Sequence, residues 1–162
     1  MDFAYNDEQK EIIKVVRDLV EKEIVPYAAE MDETGKLHEG LLEKLAAQGL
    51  LGVAIPEEFG GAGLDAITIA AIYEELGKGC AGVATTVAAN ALASYPVIIA
   101  GNDDQKKRYF DIINDDNLAA FALTEPGTGS DAGSVSTRAM KTEDGKGYIL
   151  NGTKCCLLYT SD

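Results

Sequence analysis

The sequence changes texture once, after Asp115-Asp116, and that change limits the folds open to it more than any other feature. Before it, apolar residues recur at helical spacing. Ile12, Ile13, Val16, Leu19, Val20 and Ile24 follow Asn6 and Gln9, whose separation is that of a capping box, so a first helix starts near Asp7. Pro26 is expected to kink or end its regular part, and Thr34-Gly35 to close the segment. A second helix spans about residues 39–48, with Leu41, Leu42 and Leu45 inward and Gly49 as its stop. Leu50 to Pro56 reads as an extended piece leading into the turn Gly60-Gly61-Ala62-Gly63. A third helix, about residues 65–78, uses Ile69, Ile72, Tyr73 and Leu76; a fourth, buried one occupies the uncharged stretch from Cys80 to Asn102; a fifth is capped by Asn102 or Asp103 and ends near Asn114. Beyond the change, Leu118 to Thr124, Ser136 to Thr142, Gly147 to Leu150 and Thr153 onward read as strands, separated by a glycine-rich loop and the turn Glu143-Asp144-Gly145-Lys146. Helices first and strands second predict an α+β chain: an all-α helical domain over residues 1–117, then the start of an antiparallel β domain over residues 118–162.

Composition removes several function classes. The formal net charge of −13 argues against nucleic acid or an anionic membrane as partner. The densest basic spot, Lys106-Lys107-Arg108, reads as a solvated helix face. Cys80 and the adjacent pair Cys155-Cys156 do not describe a disulfide scaffold, and the start Met1-Asp2-Phe3 has no secretory pattern, so a cytoplasmic setting is expected. His38 is the single histidine, and no Cys/His set has metal spacing; no metal site is expected. The uncharged stretch from Cys80 to Asn102 is long enough for a membrane span, but Thr85, Thr86, Asn90, Ser94 and Pro96 dilute it. A helix at the centre of a bundle is the simpler reading.

The segment Phe121-Ala122-Leu123-Thr124-Glu125-Pro126-Gly127-Thr128-Gly129-Ser130-Asp131-Ala132-Gly133 carries the chemistry. An apolar run ends in Thr-Glu-Pro and opens into a loop with three glycines. Glycine lets a backbone approach a flat ring or a phosphate without a Cβ in the way, and unpaired loop amides are natural anion donors. A dinucleotide fingerprint of the doubly wound type is rejected, because the third glycine comes one place late and Ser134-Val135-Ser136-Thr137 is a poor helix start.

The order of residues in this segment resembles the flavin-binding signature of the acyl-CoA dehydrogenases, aromatic-x-apolar-Thr-Glu-Pro-x-x-Gly-Ser-Asp. Three further stretches are similar to that family's motifs, and in its order: Ile55-Pro56-Glu57-Glu58-Phe59-Gly60-Gly61-Ala62-Gly63, then Gly101-Asn102-Asp103-Asp104-Gln105-Lys106-Lys107-Arg108-Tyr109, then Tyr148-Ile149-Leu150-Asn151-Gly152-Thr153-Lys154. The resemblance runs from about Phe3 to Cys155, where the family's aromatic-Ile-Thr-Asn-Gly-Gly stretch gives way to Cys156-Leu157-Leu158-Tyr159-Thr160-Ser161-Asp162. It implies an N-terminal part of a longer enzyme, with residues 156–162 expected to be non-native.

By that resemblance the expected activity is FAD-dependent α,β-dehydrogenation of a short- or medium-chain acyl-CoA to the trans-2-enoyl-CoA. An enoyl-CoA reductase or acyl-CoA oxidase of the same family, or a helical binding module without redox chemistry, stays open. Phe121, Leu123 and Thr124 would lie along the isoalloxazine ring, and Gly129 and Ser130 would meet the FAD pyrophosphate. Ser130 would also meet the pantetheine arm of the substrate, and Val87, Ala88 and Ala89 would floor the acyl pocket. Binding the anionic coenzyme A by so acidic a chain would rest on loop amides and local cations. No catalytic residue is nominated, because the family's catalytic glutamate lies in a C-terminal domain; Glu125 is expected to shape the turn before Pro126 and Asp131 to cap loop amides. Asn90 is expected to tie helices together. The resemblance further implies an electron acceptor such as an electron-transfer flavoprotein and a homotetramer.

Overall fold

The computed structural model describes residues 4–114 and 117–155, and the chain divides into two compact units, Met1–Ala120 and Phe121–Asp162. The first is helical and the second begins an antiparallel sheet, so the α+β class holds. In the first unit the helices are α1 (Asp7–Leu19), α2 (Ala28–Thr34), α3 (Leu41–Ala47), α4 (Ala66–Gly79), α5 (Ala81–Ala100) and α6 (Asp103–Ile113).

Local sequence explains their ends. The Asn6 side chain accepts from the Gln9 N–H at 2.8 Å while the Gln9 side chain accepts from the Asn6 N–H at 3.0 Å, which completes the capping box. Asn102 and Gln105 repeat it at the start of α6. Asp65 caps α4 by accepting from the Ile67 and Thr68 N–H groups. Pro26 acts earlier than a simple stop would. Lacking an N–H, it cannot bond the carbonyl four residues back, and the chain ahead of it widens into a π turn over Val20–Ile24 before a 3-10 turn, Val25–Tyr27, leads into α2. Gly35, with φ of 65°, closes α2.

The core is one cluster built on Val20 and Ile24 of the π turn, Leu41 and Leu45 of α3, Ile72 and Leu76 of α4, and Val83 and Val87 of α5, each almost fully enclosed. Burying one such side chain contributes about 1.5–3 kcal/mol. A smaller cluster places Ile55 against Phe110 and Ile113 of α6. The helices also share polar ties. Arg17 on α1 donates through Nε and Nη2 to the two carboxylate oxygens of the buried Glu75 on α4, both at 2.9 Å, and Lys78 adds a third bond at 2.7 Å. This network holds the Glu75 carboxyl down at about 2, Arg17 being the largest cause. Gly79 lets α4 close on the π turn, since a Cβ there would stand 2.6 Å from Val20 Cγ1.

Two expectations are corrected here. Leu50 to Pro56 is not extended: Leu50–Gly52 forms a 3-10 turn and Ile55 N–H donates to the Gly52 carbonyl. The turn at 60–63 folds back on this piece, with the N–H groups of Ala62, Gly63 and Leu64 donating to the carbonyls of Gly52, Ile55 and Val53. Gly61 passes so close to Ile55 that a Cβ would overlap its carbonyl oxygen. Helix α5 is not buried all round. Val83, Val87, Asn90, Ala91, Ala93 and Ser94 are enclosed, while Leu92, Tyr95 and Ile99 are exposed on the other side. By length and composition α5 could cross a membrane, yet its inner face carries Asn90 and Ser94 in hydrogen bonds to backbone. Asn90 ties elements together as anticipated: Nδ2 donates to the carbonyls of Leu51 (3.3 Å) and Asn117 (3.4 Å), and Oδ1 accepts from the Ala119 N–H at 2.6 Å.

In the second unit β1 (Arg138–Lys141) pairs antiparallel with β2 (Tyr148–Asn151), Arg138 opposite Asn151 and Lys141 opposite Tyr148. Gly145, at φ of 69°, makes the turn between them. All eight strand residues are exposed. The strand expected over Leu118 to Thr124 does not form among the described residues, and none begins at Thr153. The reason is pairing. One ladder-like bond joins these stretches, from the Cys155 N–H to the Thr124 carbonyl at 2.8 Å, and a strand is defined by a repeating ladder. The expected tail, 156–162, lies outside the described residues.

Candidate functional site

Pro126 and Gly127 form the tip of a tight turn. On either side of it Glu125 and Thr128 exchange both backbone hydrogen bonds at 3.0 Å. Thr128 is buried and its hydroxyl donates to the Ser134 carbonyl at 3.0 Å. Asp131, expected to cap loop amides, instead accepts the Ser134 hydroxyl on its carboxylate and the Ser134 N–H on its carbonyl.

Glu125 is the centre of the loop. Its side chain is buried, with Oε2 accepting from the Ser136 N–H (2.7 Å) and hydroxyl (2.6 Å) and Oε1 accepting from the Thr137 N–H (3.0 Å), the Thr137 hydroxyl and Lys154 Nζ (2.9 Å). The Ser136 and Thr137 hydroxyls, followed by Lys154, hold this carboxyl far below the usual carboxylate range. A base that takes a proton near neutral pH is not made this way. Glu125 is a fixed anion that organises the loop, as its expected turn-shaping role requires. Lys154 Nζ also donates to the Leu123 carbonyl at 3.0 Å.

Of the five residues expected to meet a flavin, Phe121 and Leu123 are each 38% exposed. Thr124 is half-buried and Gly129 and Ser130 are exposed. Five positions within ten residues thus share one segment, in which the two large apolar side chains are partly open to solvent. The Thr124 and Ser130 hydroxyls, and the N–H groups of Gly129 and Ser130, donate to nothing among the described residues. Gly127 and Gly129 have neither a left-handed backbone nor a neighbour within 4 Å of where a Cβ would stand. Nothing described in this chain calls for glycine at either place. An apolar surface beside free hydroxyls, free amides and two open glycines fits a flat ring carrying a polar edge and a phosphate. The three residues expected at the acyl end lie on α5. Val87 is part of the core, and Ala88 and Ala89 are half-buried beside it.

Sequence reasoning assigned no role to Lys154, Ser136 or Thr137. The one signal available was that Lys154 closes one of the quoted motifs; the burial of Glu125, which calls for partners, is not visible in the sequence.

Helices first, and then a unit that opens with the Thr-Glu-Pro loop and an antiparallel ribbon, is the order that the resemblance to the acyl-CoA dehydrogenases implies. Comparison with known proteins agrees. The acyl-CoA dehydrogenase N-terminal domain matches residues 6–114, and the acyl-CoA dehydrogenase middle domain matches residues 120–159. The chain belongs to the acyl-CoA dehydrogenase family. It is 43% identical over 151 residues to a 3-(aryl)acrylate reductase of Clostridium sporogenes, covering 91% of this chain and 39% of that protein. Butyryl-CoA dehydrogenase from Megasphaera elsdenii has a similar structure, with a TM-score of 0.81 at 36% identity, covering 95% of this chain and 41% of the other. An acyl-CoA dehydrogenase from Bacillus anthracis, solved in complex with FAD, gives a TM-score of 0.80 at 38% identity over 93% of this chain and 26% of that one. The chain spans about two fifths of the length of the curated relatives it matches. The middle-domain match continues past Cys155, where the quoted motifs stop.

Proposed function

We propose that this chain supplies the helical domain and the flavin-facing loop of an FAD-dependent enzyme that oxidises a short- or medium-chain acyl-CoA to its trans-2-enoyl-CoA, passing electrons on to a flavoprotein acceptor. The observation that carries the reading is the loop from Phe121 to Ser130, which offers apolar side chains, donors with no partner among the described residues, and open glycines together. Bound FAD supplies a hydride acceptor. The chain's own part is binding and orientation: Phe121 and Leu123 against the ring, the Thr124 hydroxyl toward its polar edge, Gly129 and Ser130 toward phosphate. Glu125 stays ionised and takes no proton. A second reading has a specific support, the 43% identity to a protein named as a reductase: the same loop would serve reduction of a 2-enoyl thioester or acid.

Thr124→Val and Ser130→Ala in the protein expressed from its complete reading frame test the assignment. Thr124→Val keeps the side chain's shape and removes one hydroxyl, so it should weaken FAD by about 0.5–1.5 kcal/mol, and by more where that hydroxyl meets a charge. It should also slow flavin bleaching by saturating acyl-CoA. Ser130→Ala should raise the dissociation constants of FAD and acyl-CoA while leaving the bleaching rate near that of the parent. Two variants with parental bleaching and parental FAD affinity would reduce the loop to an ordinary turn.

A further inference from the structure

We infer that Lys154 is a positioning residue for the cofactor loop, holding the backbone of Leu123 and Thr124 in place from behind while pairing with Glu125. The inference rests on the flavin reading above and deepens it. Three bonds carry it. Lys154 Nζ donates to the Leu123 carbonyl at 3.0 Å and to Glu125 Oε1 at 2.9 Å, and the next residue, Cys155, donates its N–H to the Thr124 carbonyl at 2.8 Å. Both carbonyls of the Leu123-Thr124 pair are therefore held by residues 154–155. With its acceptors so engaged, the pair keeps the partly exposed Leu123 side chain and the Thr124 hydroxyl for a ligand.

The neighbouring residues are shaped to allow this. A Cβ on Gly152 would stand 2.1 Å from Thr137 Oγ1, so glycine at 152 lets the 152–155 segment approach Thr137 while that threonine bonds Glu125. Glu125 gathers Ser136, Thr137 and Lys154 onto one carboxylate, and Lys154 extends the cluster to the main chain of Leu123. The charges balance within the cluster, one ammonium to one carboxylate. Removing either partner leaves a net charge beneath the loop, of opposite sign in the two cases. A contribution through packing alone would not produce effects of opposite sign.

The test uses the protein from its complete reading frame with FAD as the probe. Lys154→Met keeps much of the side chain's length and removes its charge and its bonds. Its FAD dissociation constant should rise at least tenfold, and the midpoint potential of the flavin at saturating FAD should move negative, because an unpaired carboxylate disfavours added electrons. Glu125→Gln should weaken FAD less and move the potential positive, because the ammonium is then unbalanced. Lys154→Arg keeps the charge and can still pair with Glu125, so its potential should stay near the parent's. Shifts of the same sign in the Met and Gln variants, or dissociation constants within twofold of the parent with unmoved potentials, overturn the inference. Helical circular dichroism checks that each variant folds. Should Lys154→Met fail to fold, Glu125→Gln decides alone, a positive shift supporting the inference and an unmoved potential overturning it. A parent protein that binds no FAD would instead overturn the flavin reading itself, which is a separate result.

Discussion

Replacing Glu75 by glutamine should lower the stability of the helical unit by roughly 1–2 kcal/mol at neutral pH, and the loss should fade in acid. The Glu75 carboxyl ordinarily titrates near 4.5 and is held at about 2 in the fold, first by Arg17 and then by Lys78. A depression of that size corresponds to about 3 kcal/mol favouring the folded state at neutral pH. That is an upper figure, because the Arg17 side chain is 51% exposed and water screens the pair. The same exposure lets Arg17 turn to solvent once its partner is gone, so the 3–5 kcal/mol cost of breaking a fully buried pair does not apply. Glutamine also keeps one acceptor oxygen. The sign follows from the direction of the shift: a carboxyl depressed in the folded state stabilises above its unfolded value near 4.5, and that stabilisation is lost as pH falls toward 2. Urea unfolding followed by helical circular dichroism, for parent and Glu75→Gln at pH 7, 4 and 2.5, isolates this group, since other carboxyls titrate in both proteins. Parallel stability curves across that range, with a constant difference or none, would refute the account of the Arg17–Glu75–Lys78 network.

Asn90→Ala should cost about 1–3 kcal/mol, because the buried Leu51 carbonyl and the half-buried Ala119 N–H lose the bonds that Asn90 gives them; thermal unfolding within a degree of the parent would contradict this. Gly79→Ala should destabilise by about 1–3 kcal/mol despite alanine's better helix propensity, since its methyl would meet Val20 of the π turn at 2.6 Å. A gain in stability there would mean the turn yields at little cost.

The helical unit was legible because its signals are local. Asn6 with Gln9, Asn102, Gly35 and Gly49 mark ends that the structure keeps, and Ile72, Leu76 and Leu45 face inward as their spacing requires. Leu118 to Thr124 misled for the converse reason. Its residues suit a strand, but a strand also needs a partner, and only the Cys155 bond supplies one among the described residues. The burial of α5 was overstated because apolar composition does not say which faces have neighbours. At the candidate site the free donors and glycines lay in one run and could be read directly. The network beneath them could not, since Glu125 meets Lys154 across 29 positions, and no local pattern encodes a pairing of that range.

The β1–β2 hairpin has a practical consequence. Met140, Tyr148, Ile149 and Leu150 are all more than half exposed, and a two-stranded ribbon is marginal unless another layer or strand covers it. Among the described residues no third strand pairs with either of its outer borders, which leaves both open to an extended polypeptide that comes near. The 162-residue chain produced alone would therefore self-associate through residues 148–150, and charged substitutions at Ile149 or Leu150 would be the first means of keeping it in solution.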